Sequence, residues 1–332
     1  MRICVYGAGA VGGNFAARLA KAGTDVSVIA RGPHLKAIQD RGLTVIKGEE
    51  RVHARPFATD DPKRAGVQDA VIVTLKAHSI PGVVDQMQPL LGKDTAVVFA
   101  INGVPWWYFH RHGGALGERR LDRLDPGGVL WDRLPVERAI GSVVYSPNEI
   151  TAPGVITNGG RNRLVLGEPD GSISARATAI AGALVAAGIE SPVIPDIRAE
   201  LWRKLIGNLA WNPVTAITGL TTRDLVGDPP LRALVKSVLE EGIVVASKLG
   251  VTIEGDAESR IKSVETGPRT GPAHRTSMFQ DFDLKRPPEL DAIVLAVQDF
   301  AREVGVPTPA IDAVAAFAVG RARALGIYGR AG

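Results

Sequence analysis

Lys204, Asn208 and Asn212 stand four residues apart in "ELWRKLIGNLAWNP", residues 200–213. On a helix each such step advances only about 40° around the axis, so the three polar groups share one side. Leu201, Trp202, Leu205, Ile206 and Leu209 supply a broad apolar face beside them. Asparagine is a poor helix former and an odd choice for an idle surface, so two of them in register with a lysine read as a hydrogen-bonding surface. The plain alternative is that they are tolerated or capping residues. An ammonium in such a stripe can donate a proton to a ligand oxygen and stabilise negative charge there, while the amides orient the ligand. Pro213 is expected to kink or end this helix.

A second constellation opens the chain. "VYGAGAVGG" sets Gly7, Gly9 and Gly12 in a G-x-G-x-x-G pattern between an apolar run and an amphipathic stretch. Glycine suits these positions because the turn is tight, a side chain would block a pyrophosphate, and the helix must approach the sheet closely. The helix N-terminus then faces the phosphates, which points to a dinucleotide. The second apolar run, "DVSVIAR", ends in Arg31, where an acid would commonly hold the ribose diol of NAD. Arginine there suits a 2′-phosphate and favours NADP (as NADPH), with a solvated residue after a strand as the alternative. Lys76 follows "AVIVTL" and Asn102 follows "TAVVFAI", which places both at the carboxyl ends of strands, where open parallel sheets bind ligands. A surface lysine and a turn-forming Asn-Gly are the rival readings. Trp106, Trp107 and Tyr108 either wall a pocket or cover the sheet.

The elements that must position these groups alternate at first. Short apolar runs and helical patterns succeed one another through the first hundred residues, the βαβ rhythm of a parallel sheet covered by helices. The rhythm is lost in an arginine- and glycine-rich insertion, roughly 106–138. Val, Ile and Tyr clusters broken by Pro, Gly and Asn then read as several strands, up to "LVLGEP". From Asp196 onward the pattern is almost wholly helical. The expected class is α/β: a Rossmann-like dinucleotide-binding domain at 1–195 and an all-helical domain at 196–332, with the cleft between them as the default ligand site.

Composition bounds the rest. A chain of 332 residues with 45% hydrophobic and 22% charged residues is long enough for two cores. The net charge of +4 carries no long basic tract, so nucleic acid is a poor candidate partner. The only cysteine, Cys4, lies in the first apolar run and reads as a packed thiol. No apolar stretch approaches a membrane span, and the N-terminus lacks a secretory pattern, so a cytoplasmic location is expected. The six histidines are scattered, and no metal site is expected.

The chain resembles the ketopantoate reductases through "GAGAVGG", "LKAHS", "NGVPWW", "ELWRKLIGNLAWNPVTAIT", "TSMFQD", "RPPELDAI" and "GVPTP". The resemblance implies reduction of a 2-keto acid by NADPH, with Lys204 at the general-acid position and Glu289 at the position of a substrate-binding carboxylate. It places Lys76, Asn102, Asn208, Asn212 and Ser277 at polar cleft positions, and Arg31 at the phosphate-recognition position. Ser277 has a rival role, since "SMFQ" fits a capping box with Gln280. Two departures concern the substrate: Val294 and Leu295 stand where relatives carry Asn-Gly, and Ile311 stands where they carry asparagine. A small-molecule 2-keto acid is thus the expected partner, with neither nucleic acid nor membrane, and a homodimer stays open. The competing readings are a 3-hydroxyacid dehydrogenase and a non-catalytic NADPH-binding sensor.

Overall fold

The computed structural model describes residues 1–267 and 275–329. Eleven strands are formed among the described residues: β1 (Arg2–Tyr6), β2 (Asp25–Ile29), β3 (Leu43–Lys47), β4 (Glu50–Ala54), β5 (Phe57–Thr59), β6 (Gln68–Val73), β7 (Leu91–Phe99), β8 (Ala139–Tyr145), β9 (Asn148–Ala152), β10 (Val155–Asn158) and β11 (Arg163–Gly167). The chain divides into two compact units, one holding residues 1–101 and 105–197, the other holding 102–104 and 198–332.

The first unit is built on a seven-stranded sheet in the order β11-β8-β7-β6-β1-β2-β5. Pairing is parallel from β5 to β8, and only the edge strand β11 runs antiparallel, against β8. The central strands are near-continuous runs of Val, Ile and Ala because both faces are covered. Ile3, Val5, Ile72, Val98 and Ile140 are buried with Phe15 and Leu19 of the helix Ala10–Lys21. The order reverses beside β1: the chain goes outward through β2 and β5, then returns to β6 on the other flank. This is the Rossmann-like arrangement, and its ligand position is the crevice beyond the carboxyl ends of β1 and β6.

A second sheet of four strands, β4-β3-β10-β9, was not expected from the sequence. β10 pairs parallel with β3 across more than a hundred residues, a union no local pattern announces. The insertion, where the alternating rhythm was expected to lapse, forms a series of short helical turns, among them Val129–Arg133. Trp106, Trp107, Tyr108 and Phe109 are all buried. Trp106 packs edge-on between Phe99, at the end of β7, and Trp131, with ring centroids 5.7 and 5.8 Å away. These aromatics cover the sheet, which decides between the two readings of this stretch.

The second unit is helical, with Ile197–Thr218, Pro229–Lys248 and Pro309–Ala324 as its longest helices. Pro213 does not end the first of these; the helix runs through it to Thr218. Lys236 lies on an exposed helical face near Glu240 and Glu258. No described helix is long and apolar enough to cross a membrane.

Candidate active site

In the first unit, β1 passes directly into the glycine loop. Gly7 has φ of +105°, a left-handed backbone that side chains disfavour. At Gly12 an added Cβ would overlap the Gly7 carbonyl oxygen and the Thr74 hydroxyl, so only glycine permits this approach of helix to strand. Thr74 follows β6 and donates both its amide, 3.0 Å from Tyr6 O, and its hydroxyl, to Gly7 O, into the loop. At Gly9, the N-cap of the helix, an added Cβ would meet nothing within 4 Å. Three glycines therefore serve three ends: a turn, a close contact and open space above a helix N-terminus. The open space with unblocked amides fits a pyrophosphate. Gly13, which sequence reasoning passed over, lets the helix lie against Ile156 of the second sheet.

Arg31 follows β2, is exposed, and occupies the N-cap position of the helix Gly32–Arg41. Lys76 lies just beyond β6, half-buried, before the turn Ala77–Ser79. Both belong to the first unit.

In the second unit, the helix Ile197–Thr218 carries Lys204 and Asn208, both half-buried, and Asn212, which is buried. Lys204 Nζ donates to Asn102 Oδ1 at 2.7 Å, and Asn102 Nδ2 donates to Glu289 Oε2 at 3.1 Å. The partners set the orientation of the Asn102 amide: turned over, its NH₂ would face the ammonium and its oxygen the carboxylate. Burial of the Lys204 ammonium pushes its pKa down to about 8, against the opposing pull of the Glu289 carboxylate. At pH 7 the ammonium then still predominates by about ten to one, so Lys204 is charged yet parts with its proton more readily than an exposed lysine.

Asn102 reaches this cluster because three residues of the chain, Asn102–Val104, join the helical unit. Gly103 has φ of +81°, and an added Cβ would lie 2.5 Å from the carbonyl carbon of Ala292. Val104 N–H donates to Ala292 O at 2.7 Å. Asp291–Leu295 form a π-helical turn, whose widened ladder offers carbonyls that a regular helix would use internally. Asn102–Gly103 is thus a docked segment rather than a free turn, and Glu289 stands just before the turn that docks it. Sequence inspection named Asn102 and Glu289 but missed Gly103 and Ala292; the Asn-Gly pair was the available signal.

Ser277 is the first residue of the helix Ser277–Asp283 and is exposed. The capping-box reading is corrected by one position: Thr276 is the N-cap, accepting from Phe279 N–H at 3.3 Å, and Gln280 Nε2 donates to Arg275 O. Thr276 rather than Ser277 has the extended backbone that a cap requires, which leaves the Ser277 hydroxyl outside the cap. Val294 and Ile311 are buried, packed as apolar residues within the unit.

Comparisons with known proteins cover nearly the whole chain. Residues 3–171 match the family described as ketopantoate reductase PanE/ApbA, and residues 196–321 match its C-terminal part. A 2-dehydropantoate 2-reductase of Mesorhizobium japonicum is 47% identical over 95% of this chain and 96% of its own length. A candidate ketopantoate reductase structure from Ralstonia solanacearum MolK2 superposes with a TM-score of 0.91 at 38% identity, covering 98% of this chain and 99% of that one. A PanE/ApbA family ketopantoate reductase from Ralstonia eutropha JMP134 gives a TM-score of 0.83 at 27% identity, covering 98% and 100%. With both of its units matched, the chain belongs to the ketopantoate reductase PanE/ApbA family.

Proposed function

We propose that this protein is a 2-dehydropantoate 2-reductase, an NADP-dependent oxidoreductase that reduces ketopantoate to pantoate with NADPH in coenzyme A precursor synthesis. The observation that carries the chemistry is the hydrogen-bonded series Lys204–Asn102–Glu289, an acid held by an oriented amide beside a buried carboxylate. The α/β unit, residues 1–101 and 105–197 rather than an unbroken 1–195, serves as the NADP-binding domain, and the helical unit that takes in Asn102–Val104 serves as the substrate and catalytic domain.

Gly7, Gly9 and Gly12 receive the pyrophosphate, Arg31 pairs with the 2′-phosphate, and Lys76 and Asn102 complete the cofactor contacts. The nicotinamide, when bound, supplies the hydride. Lys204 donates its proton to the ketone oxygen as charge develops there, and its positive charge stabilises that oxygen beforehand. Asn102, Asn208, Asn212 and Ser277 orient the keto acid, and Glu289 accepts a hydrogen bond from its hydroxyl. The proposed location is the cytoplasm, and sedimentation of the purified chain would decide between a homodimer and a single chain.

Ketopantoate carries a carboxylate, a 2-keto group and a primary hydroxyl. A site with Glu289 buried should lose transition-state stabilisation when that hydroxyl is absent, because the hydrogen bond from the hydroxyl to the carboxylate is lost. The test is kcat/KM for ketopantoate against 2-ketoisovalerate, both with NADPH. Ketopantoate should win by at least about tenfold, or about 1.4 kcal/mol. A ratio near one would remove the pantothenate assignment and leave a broader 2-keto acid reductase.

A further inference from the structure

Two buried hydroxyls of the helical unit, Thr215 Oγ1 and Thr276 Oγ1, lie 2.7 Å apart. Thr215 is fully enclosed and Thr276 nearly so, and neither belongs to the site residues named above. Their hydrogens can be placed by elimination. Thr215 Oγ1 donates its single hydrogen to the carbonyl of Asn212 at 3.0 Å. The hydrogen between the two oxygens must then come from Thr276, whose oxygen in turn accepts Phe279 N–H. The result is a one-way series from Phe279 N–H through Thr276 and Thr215 to the Asn212 carbonyl.

The two ends of this series matter. One is the backbone of Asn212, immediately before Pro213; the other is the N-terminus of the helix that begins with Ser277. Proline has no N–H, so the ladder of this helix lacks the bond from position 213 back to the Leu209 carbonyl. A seven-residue helix is too short to hold its own direction and depends on its cap and its packed residues, here Met278 and Phe282. The hydroxyl series therefore ties the Lys204 helix, next to its proline, to the N-terminus of a short helix.

We propose that Thr215 and Thr276 are positioning residues for the reduction, holding Asn212 and Ser277 at one spacing for the keto acid; this rests on the reading of those two residues as substrate ligands. Neither threonine hydroxyl is accessible to substrate, so both act through their neighbours. Valine at 215 would keep the volume but strand the Thr276 hydroxyl without an acceptor. Serine at 215 would keep the series.

Steady-state kinetics with ketopantoate at saturating NADPH, together with the NADPH Kd, test this. Thr215→Val should raise KM about tenfold, the size of one lost buried hydrogen bond, with NADPH affinity changed by less than about twofold. Thr215→Ser should return KM to within about twofold of wild type, and adding Thr215→Val to Ser277→Ala should cost little more than Ser277→Ala alone. Thr276→Val severs the same bond from the other side, and the Phe279 cap with it, and serves if Thr215→Val does not fold. An unchanged KM in the valine variants, a serine variant as impaired as valine, or full multiplication of the two effects would overturn the proposal. If Asn212→Ala and Ser277→Ala raise KM while the threonine variants do not, only the positioning role fails. If both alanine variants are silent, the substrate reading falls and takes the positioning role with it.

Discussion

Lys204 illustrates how a single residue is tuned by two opposed effects. Desolvation lowers its pKa toward 8, and the Glu289 carboxylate limits the fall, so the ammonium survives at neutral pH as an acid of useful strength. The direction of the pH dependence follows. The lowered pKa leaves the proton donor present below about pH 8 and removes it above, so kcat/KM for reduction should fall about tenfold per pH unit on the alkaline side. Lys204→Ala should reduce the chemical rate by about 10² to 10⁴ and abolish that alkaline limb while leaving NADPH affinity nearly intact. A variant that keeps half of the wild-type rate under chemistry-limited conditions would remove Lys204 from the mechanism.

At the scale of elements, the π-helical turn Asp291–Leu295 does what a regular helix could not, by presenting the Ala292 carbonyl to Val104 N–H while Glu289 meets Asn102. Gly103 is the tight point of this docking. Gly103→Ala would place a methyl group against the Ala292 carbonyl on a backbone with φ of +81°. We expect a loss of about 1–3 kcal/mol in stability and a fall in kcat of at least about tenfold, because Asn102 is displaced from Lys204. Thermal unfolding and turnover of this variant check both. An alanine variant with wild-type turnover would show that Asn102 does not need this anchorage.

At the scale of the whole molecule, the labour is divided: the α/β unit holds the glycine loop, and the helical unit holds the acid, the amide and the carboxylate. This separation makes cofactor recognition testable by itself. Arg31 is exposed at the end of β2 and pairs with the 2′-phosphate in the proposed function, so Arg31→Ala should weaken NADPH binding by about 1.5 to 3 kcal/mol, or about 10- to 150-fold. NADH binding should stay near its wild-type value. Titration of both cofactors into both proteins decides the matter, and an equal loss for the two would end the assignment of Arg31.

Local patterns in the sequence were enough to read the glycine loop, the alternation of the parallel sheet and the helix that carries Lys204, Asn208 and Asn212 at four-residue spacing. Each is written in periodicities of 2 or 3.6 residues, or in glycines whose backbone needs are local. The cap of the Ser277 helix was misplaced by one residue because Thr276 and Ser277 are chemically alike and only the backbone angles separate them. The second sheet, the π-helical turn and the recruitment of Asn102–Val104 into the helical unit had no such local signature. Lys204, Asn102 and Glu289 meet across sequence separations of 102 and 187 residues. Their types could be picked out along the chain, but which amide faces which charge is decided where distant segments pack, since hydrogen-bond geometry at 3 Å depends on every contact that brings those segments together.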